Sequence, residues 1–314
     1  MPNDSLTKNE SLFALKQVLR IGVITVAYLL LSYLLIGFKI DQLWLALLFC
    51  VLYFSSHVTR KFITGFSIFI IFWIIFDYMK AFPNYHYQAV HIESLYHAEK
   101  KLFGISVDAT VLTPNEYWLA HHNTFLDVLT GILYLCWVPV PLAFAGYLFF
   151  KNRVAFLHFS LTFLFVNLIG FVIYYLYPAA PPWYVQQHGF QFLPNTPGNT
   201  AGLARFDTFF HADIFNGLYS RSSNVFAAMP SLHASYPVIV LFYGIKNKLG
   251  RINILFGLIM IGIWFSAVYT SHHYVLDVLA GITCGLTGIA LFQWMINNHT
   301  STKKTIAKFA KAIT

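Results

Sequence analysis

Charge is what this sequence has least of: among 314 residues only 10% are Asp, Glu, Lys or Arg, whereas 58% are hydrophobic. A chain so poor in charge cannot clothe a water-facing surface, which excludes an ordinary soluble domain. Cysteine is scarce too. Cys50, Cys136 and Cys284 stand far apart within apolar runs, with no CxxC pair, which argues against a zinc ribbon or redox motif and reads as buried thiols. Internal repeats and low-complexity runs are missing too. No small-residue cleavage site follows the first apolar run, so it reads as a retained anchor rather than a signal peptide.

What the chain has instead is long apolar runs. A bilayer core takes about 20 mainly apolar residues per helix. Eight runs are candidates: Ile21 to Phe38, Leu43 to Ser56, Phe62 to Met79, Phe125 to Phe150, Val154 to Tyr177, Ala234 to Ile245, Ile252 to Thr270 and Tyr274 to Ile296. The second and sixth are short for full spans. The expected fold is an all-α, polytopic membrane helical bundle of about eight transmembrane helices, six at the fewest.

Basic residues set the orientation, because loops rich in Lys and Arg stay on the cytoplasmic side. With the N-terminus inside, Lys8, Lys16, Arg20, Arg60, Lys61, Lys151, Arg153, Lys246, Lys248, Arg251, Lys303, Lys304, Lys308 and Lys311 share one side. Only Lys39, Lys80, Lys100, Lys101, Arg205 and Arg221 lie opposite. The formal charge of +8 therefore reports topology. Scattered over helix ends, it forms no continuous patch, so no nucleic-acid partner is expected.

The expected organisation is a cytoplasmic tail (1–20), three helices (21–79), an external interfacial segment (80–124), a transmembrane core (125–297) with an external cap loop (178–229), and a basic cytoplasmic tail (298–314). In the first external segment, Val90, Ile92, Leu95, Leu102 and Phe103 alternate with polar residues as one apolar side of a helix. That helix either lies in the interface or packs on the outer ends of the spans. The cap holds Pro178, Pro181, Pro182, Pro194 and Pro197, so it reads as mostly irregular, with a short helix around Arg205 to Leu218. Its length and its aromatic residues suit an ordered lid.

Two motifs flank adjacent spans: Met229-Pro230-Ser231-Leu232-His233-Ala234 and Ser271-His272-His273-Tyr274-Val275-Leu276-Asp277. His273 and Asp277, four apart, share one helix face, which lets the carboxylate orient one imidazole nitrogen and leave the other free to attack. His233 enters one span from outside and His273 follows the return span, so both sit at the same level. An ionisable Asp277 at that depth marks a site or a structural pair with His273. Spacing alone leaves these two open.

Pro-Ser-Leu-His followed by Ser266, His273 and Asp277 in a Ser-x6-His-x3-Asp pattern resembles the second and third motifs of the type 2 phosphatidic acid phosphatase superfamily. The resemblance implies His273 as a nucleophile that forms a phosphohistidine, Asp277 as its orienter, and His233 as general acid and then base, with no metal and no cofactor. Where the phosphatases have Arg after the serine of the third motif, this chain has Ala267, and where they have Arg before the proline of the first motif, the nearest candidate, Gly170 to Pro178, has Tyr177. Replacement donors for the phosphate are therefore expected. Arg221 comes first, then Arg205, Lys80, His272 and Ser231; a solvated loop cation is the plain alternative for Arg221.

Tyr177-Pro178-Ala179-Ala180-Pro181-Pro182-Trp183-Tyr184 resembles the Pro-x-Ala-Pro-Pro-Trp segment of the inositol phosphorylceramide synthase branch, which also carries a His-His-Tyr-x-x-Asp motif. Phe76 to Lys80 and Glu99 to Gly104 resemble an upstream pattern of its bacterial relatives. Trp183 and Tyr184 suit an interface anchor or a head-group pocket. Asp77 is expected to pair with Lys80, and Asp127 to join His121 and His122 in a helix-end network. Most of the thirteen histidines fall outside, yet no compact spacing supports a metal site.

The resemblance implies a lipid phosphotransferase that moves inositol phosphate from a glycerophospholipid donor to a ceramide-like acceptor. With water as acceptor it would be a lipid phosphatase. A lipid-binding or transport protein is the non-enzymatic alternative, and it leaves the paired motifs unexplained. The partners are membrane lipids, with a protein subunit left open, and the site would face a bacterial periplasm or a Golgi lumen.

Overall fold

A computed structural model describes residues 11–220 and 224–314. The chain divides into two compact units, Met1–Ala81 with Phe309–Thr314, and Phe82–Lys308. Among the described residues, six helical stretches are long and apolar enough to cross a membrane: Leu15–Ile36, His57–Ala81, Thr124–Lys151, Arg153–Leu176, Ile252–Tyr269 and Val275–Asn298. The chain is an integral, multi-pass membrane protein with an all-α bundle.

The first unit holds α1 (Leu15–Ile36), α2 (Ile40–Ser55) and α3 (His57–Tyr78). Ser56 opens α3 with a capping box, its Oγ accepting the Thr59 N–H at 3.1 Å while Thr59 Oγ1 accepts the Ser56 N–H at 3.0 Å. Ile21, Tyr53 and Ile63 pack inside. Arg60 lies over the Tyr53 ring, 4.6 Å from its centre. Val23, Leu34, Trp44 and Val51 face outward, as lipid-facing helices require. Lys80 pairs with Asp77 at 2.6 Å, as expected.

The second unit opens with α4 (Glu93–Phe103), a hairpin of β1 (Ile105–Val107) and β2 (Thr110–Leu112), and α5 (Pro114–Ala120). The strands pair antiparallel, a hairpin that the all-α expectation did not include. Thr113 caps α5 in a box with Glu116. In α4, Leu95 and Glu99 are buried, and Leu95 packs with Ala179, Ala228 and Tyr274. This helix therefore packs on protein rather than floating in an interface.

The fourth apolar run is not one helix. It breaks into α6 (Thr124–Leu135) and α7 (Pro139–Lys151). Pro139 has no N–H for the carbonyl four residues back, and its ring clashes there, so the helix restarts at the proline. α8 (Arg153–Leu176) follows, capped by Asn152. Among its described residues the cap carries three short α-helices, α9 (Pro182–His188), α10 (Ala204–Phe210) and α11 (Ile214–Tyr219), so the single helix expected near Arg205 is two.

At the centre stands α12 (Leu232–Lys246), only 15 residues long and mostly buried. It packs against α7, α8, α13 (Ile252–Tyr269) and α14 (Val275–Asn298). Gly281 makes the closest approach possible: a Cβ there would lie 2.0 Å from the Ser231 carbonyl oxygen. Ser235 Oγ then donates to the Gly281 carbonyl at 2.6 Å. Small residues bring the two helices together, and a hydroxyl binds them. The terminal segment expected as a tail forms α15 (Thr300–Ile313). Cys284 is a buried thiol as expected, whereas Cys50 and Cys136 are only partly buried.

Candidate active site

Pro230 ends the cap, and Ser231 starts α12 with His233 in its first turn. Pro237 cannot donate to the His233 carbonyl four residues earlier, which loosens the helix where the imidazole leaves it. Trp264 Nε1 donates to the neighbouring Ala234 carbonyl at 3.0 Å. From the other side, α13 ends at Tyr269, and the backbone N–H groups of His272 and His273 both bond the Ala267 carbonyl. Ser271 adopts a positive φ of 60° to make this turn. Asn115 Nδ2 clamps it further, donating to the carbonyls of Val268 at 2.8 Å and His273 at 2.9 Å.

The two imidazoles meet. His233 Nδ1 lies 3.2 Å from His273 Nε2. On the far side of His273, Nδ1 faces Asp277 Oδ2 at 3.6 Å, a charge-range contact longer than a hydrogen bond. Asp277 Oδ2 also accepts the Tyr274 N–H at 2.8 Å. Its Oδ1 is buried without a hydrogen-bond partner among the described residues. Burial pushes the His273 ring down to about 4, with the Ala228 backbone partly opposing. A ring neutral at ordinary pH keeps a lone pair for attack.

Three residues that sequence reasoning passed over, and Glu99, whose motif it noted without giving it a role, complete the surroundings. The Tyr134 hydroxyl, from the last turn of α6, lies 2.8 Å from His233 Nδ1. Trp137, in the break before α7, sets its ring edge-on to His233 at 4.4 Å. Tyr219 stacks on His272 at 4.3 Å. Glu99 reaches from α4 to accept the N–H groups of Val275 at 2.9 Å and Leu276 at 3.1 Å. It thus caps the helix that carries Asp277, satisfying two donors that no helix can satisfy internally. A tyrosine in an apolar run carries no signal of its own, but a lone Glu on the buried side of α4 does.

The candidate binding residues scatter more widely. Ser231 is fully buried, its Oγ without a partner among the described residues, and its N–H bonds the Asp277 carbonyl at 2.9 Å. His272 lies between Tyr134 and Tyr219 and bonds the Thr200 carbonyl through Nε2 at 3.0 Å. Burial lowers its pKa, so it fastens the cap as a neutral ring. Arg205 gives its Nε to Asp127 at 2.6 Å, and Asp127 also takes the Tyr269 hydroxyl at 2.8 Å and faces His122 at 3.4 Å. The helix-end network at Asp127 thus includes Arg205 and Tyr269, while His121 turns to the Tyr117 carbonyl. Trp183 and Tyr184 are buried, and the Tyr184 hydroxyl ties down Gln191 and Leu193. Lys80 belongs to the first unit, bound to Asp77. Arg221 lies outside the described residues. Among the described residues no three His, Cys, Asp or Glu side chains group as metal ligands would.

Comparison with known proteins agrees with the motifs. Residues 93–291 match the family model described as the PAP2 superfamily. The phosphoinositol dihydroceramide synthase of Bacteroides thetaiotaomicron is 48% identical over 281 residues, which is 89% of this chain and 92% of that protein. The inositol phosphorylceramide synthase of Candida albicans is 30% identical over 52% of this chain and 37% of its own. The catalytic subunit of the Saccharomyces cerevisiae inositol phosphorylceramide synthase is 27% identical, over 69% of this chain and 52% of its own. No solved structure matches. The chain belongs to the PAP2 superfamily and is a homologue of the inositol phosphorylceramide synthases.

Proposed function

We propose that the protein transfers inositol phosphate from phosphatidylinositol to the hydroxyl of a ceramide-like lipid, through a phosphohistidine on His273, at the outer membrane face. The observation that carries this reading is the 3.2 Å approach of His233 Nδ1 to His273 Nε2, with Asp277 at the opposite edge of the His273 ring. The names of the bacterial and fungal homologues support the donor and acceptor.

In the first half-reaction His273 Nε2 forms a bond to phosphorus, the bond to the diacylglycerol oxygen breaks, and His233 protonates that oxygen. In the second, His233 takes the proton of the acceptor hydroxyl, whose oxygen bonds to phosphorus as the phosphorus–nitrogen bond breaks. Each step moves one proton through His233, and only the two steps together return both imidazoles to their starting states. A phosphorus held on His273 has its departing or arriving oxygen toward His233, which is what paired acid–base work requires. Loss of the phosphatase arginines suits a diester, which carries less charge than a monoester.

The test is to incubate the purified chain with inositol-labelled phosphatidylinositol, with and without ceramide, and to identify the products. Labelled sphingolipid formed only with ceramide supports transfer. Labelled inositol phosphate released whether or not ceramide is present would make the protein a hydrolase, and no turnover of any phospholipid or lipid phosphate would sink the enzyme reading.

A further inference from the structure

Beside the candidate site lies a cleft of about 200 Å³ walled by α4, α5, α9, the start of the cap and the residue after His273. We infer that this cleft is the subsite for the polyhydroxyl ring of the donor head group. The inference rests on the transfer reading for the identity of the donor, and on the cleft for its place.

Size comes first. The cleft is smaller than the roughly 300–1,000 Å³ of pockets that enclose drug-sized molecules, so it takes one ring and no lipid tail.

Its polar groups suit hydroxyls. The Tyr274 hydroxyl has no hydrogen-bond partner among the described residues, although the residue is only 1% exposed and lines the cleft. Such an orphan is costly unless a ligand or water completes it. Gln186 lines the cleft and donates its amide nitrogen to Ser271 Oγ at 3.0 Å, so its carbonyl oxygen is left to accept from a ligand hydroxyl. Glu116 is fixed by the Tyr96 hydroxyl at 2.8 Å and the Thr113 N–H at 2.7 Å, one on each oxygen. Each oxygen keeps a lone pair for an O–H donor. Tyr96 and Phe190, edge to face at 5.3 Å, supply an apolar wall for the C–H face of a ring.

A carboxylate in the wall repels a phosphate, so the phosphate of a bound head group must lie outside the cleft. The inner wall says where. Tyr274 follows His273 in the chain, Gln186 grips Ser271 two residues before it, and Ala228, just before the Pro230-Ser231 start of α12, packs with Tyr274. A ring in the cleft therefore has its phosphate toward His273.

The experiment uses the full chain in detergent with phosphatidylinositol as donor. Tyr274→Phe and Gln186→Leu should each raise KM for phosphatidylinositol about fivefold or more, the loss of one hydrogen bond to a bound hydroxyl, with kcat within about twofold. Calorimetric titration with glycerophosphoinositol should show binding to the wild type and weakened binding to both variants. Unchanged KM and unchanged titration in folded variants would overturn the subsite while the transfer reading stands. Titration lost in the variants of a protein that transfers nothing from phosphatidylinositol would keep the subsite and sink the transfer reading. A wild type that prefers phosphatidylcholine would assign the aromatic wall to a quaternary ammonium and overturn the polyol.

Discussion

Tyr134 Oη stands 2.8 Å from the same His233 nitrogen that faces His273. A phenol donates to that nitrogen when it is bare and accepts from it when it is protonated. The hydroxyl thus suits both charge states through which a general acid must pass. Tyr134→Phe should lower kcat about tenfold, equivalent to ~1.4 kcal/mol of barrier, with KM for phosphatidylinositol unchanged. A full kcat in steady-state transfer assays would remove Tyr134 from the proposed machinery.

His273→Ala should abolish transfer without loss of folded protein. Asp277→Asn should keep the fold and lower kcat on the order of a hundredfold or more, because an amide no longer favours the positive ring that forms on attack. Acid-quenched protein incubated with inositol-labelled donor alone should retain label in the wild type and lose it in His273→Ala. Label retained by the alanine variant would place the covalent step elsewhere.

Glu99 ties α4 to α14, the helix that holds Asp277. Glu99→Ala leaves the N–H groups of Val275 and Leu276 without an acceptor, a loss of about 1–2 kcal/mol by analogy with N-cap removal. Thermal unfolding in detergent should show it as a lowered Tm.

The same residue gives a pH signature. Burial lifts its carboxyl from an ordinary 4.5 to about 7, against two helpful N–H groups, with the charge of Asp277 adding to the rise. Its folded pKa exceeds its unfolded one, so the folded chain binds the extra proton between them and stability falls as pH rises from about 4.5 to about 7. His273 acts in the opposite sense: with its folded pKa at about 4, below the ordinary 6.5, stability falls as pH drops through that window. Glu99→Gln should therefore gain stability relative to the wild type as pH rises from 4.5 to 7. A difference that stays flat across that range would contradict the burial of this charge.

Gly281→Ala puts a methyl group 2.0 Å from the Ser231 carbonyl, which backbone cannot yield cheaply. It should separate α12 from α14 and reduce both stability and transfer, whereas Gly257→Ala, with no neighbour to meet, should leave both unchanged. Equal behaviour of the two variants would argue against close packing at Gly281.

Much of this was legible in the chain. Apolar length marked the bundle, and the spacing of His273 and Asp277 set them on one face before any coordinates. The break at Cys136 to Val138 was missed because composition stays apolar through it, although Pro139 and Pro141 were there to be weighed. Tyr134, Trp137 and Tyr219 were not legible at all: each reaches its histidine through tertiary packing, to which hydrophobic periodicity is blind. Glu99 lay between. Its motif was noted, but only the fold shows that a charge on the inner side of an amphipathic helix has a second helix to cap.

Gly281 also divides the molecule into what must stay constant and what is free to change. With no side chain at that point, the distance between the two histidine-bearing segments is set by backbone against backbone, a spacing no rotamer can adjust. The chemistry is thereby tied to helices that tolerate little alteration. If selectivity rests on α4 and the cap, as the proposed subsite has it, loop substitutions there can change it without resetting the reaction centre.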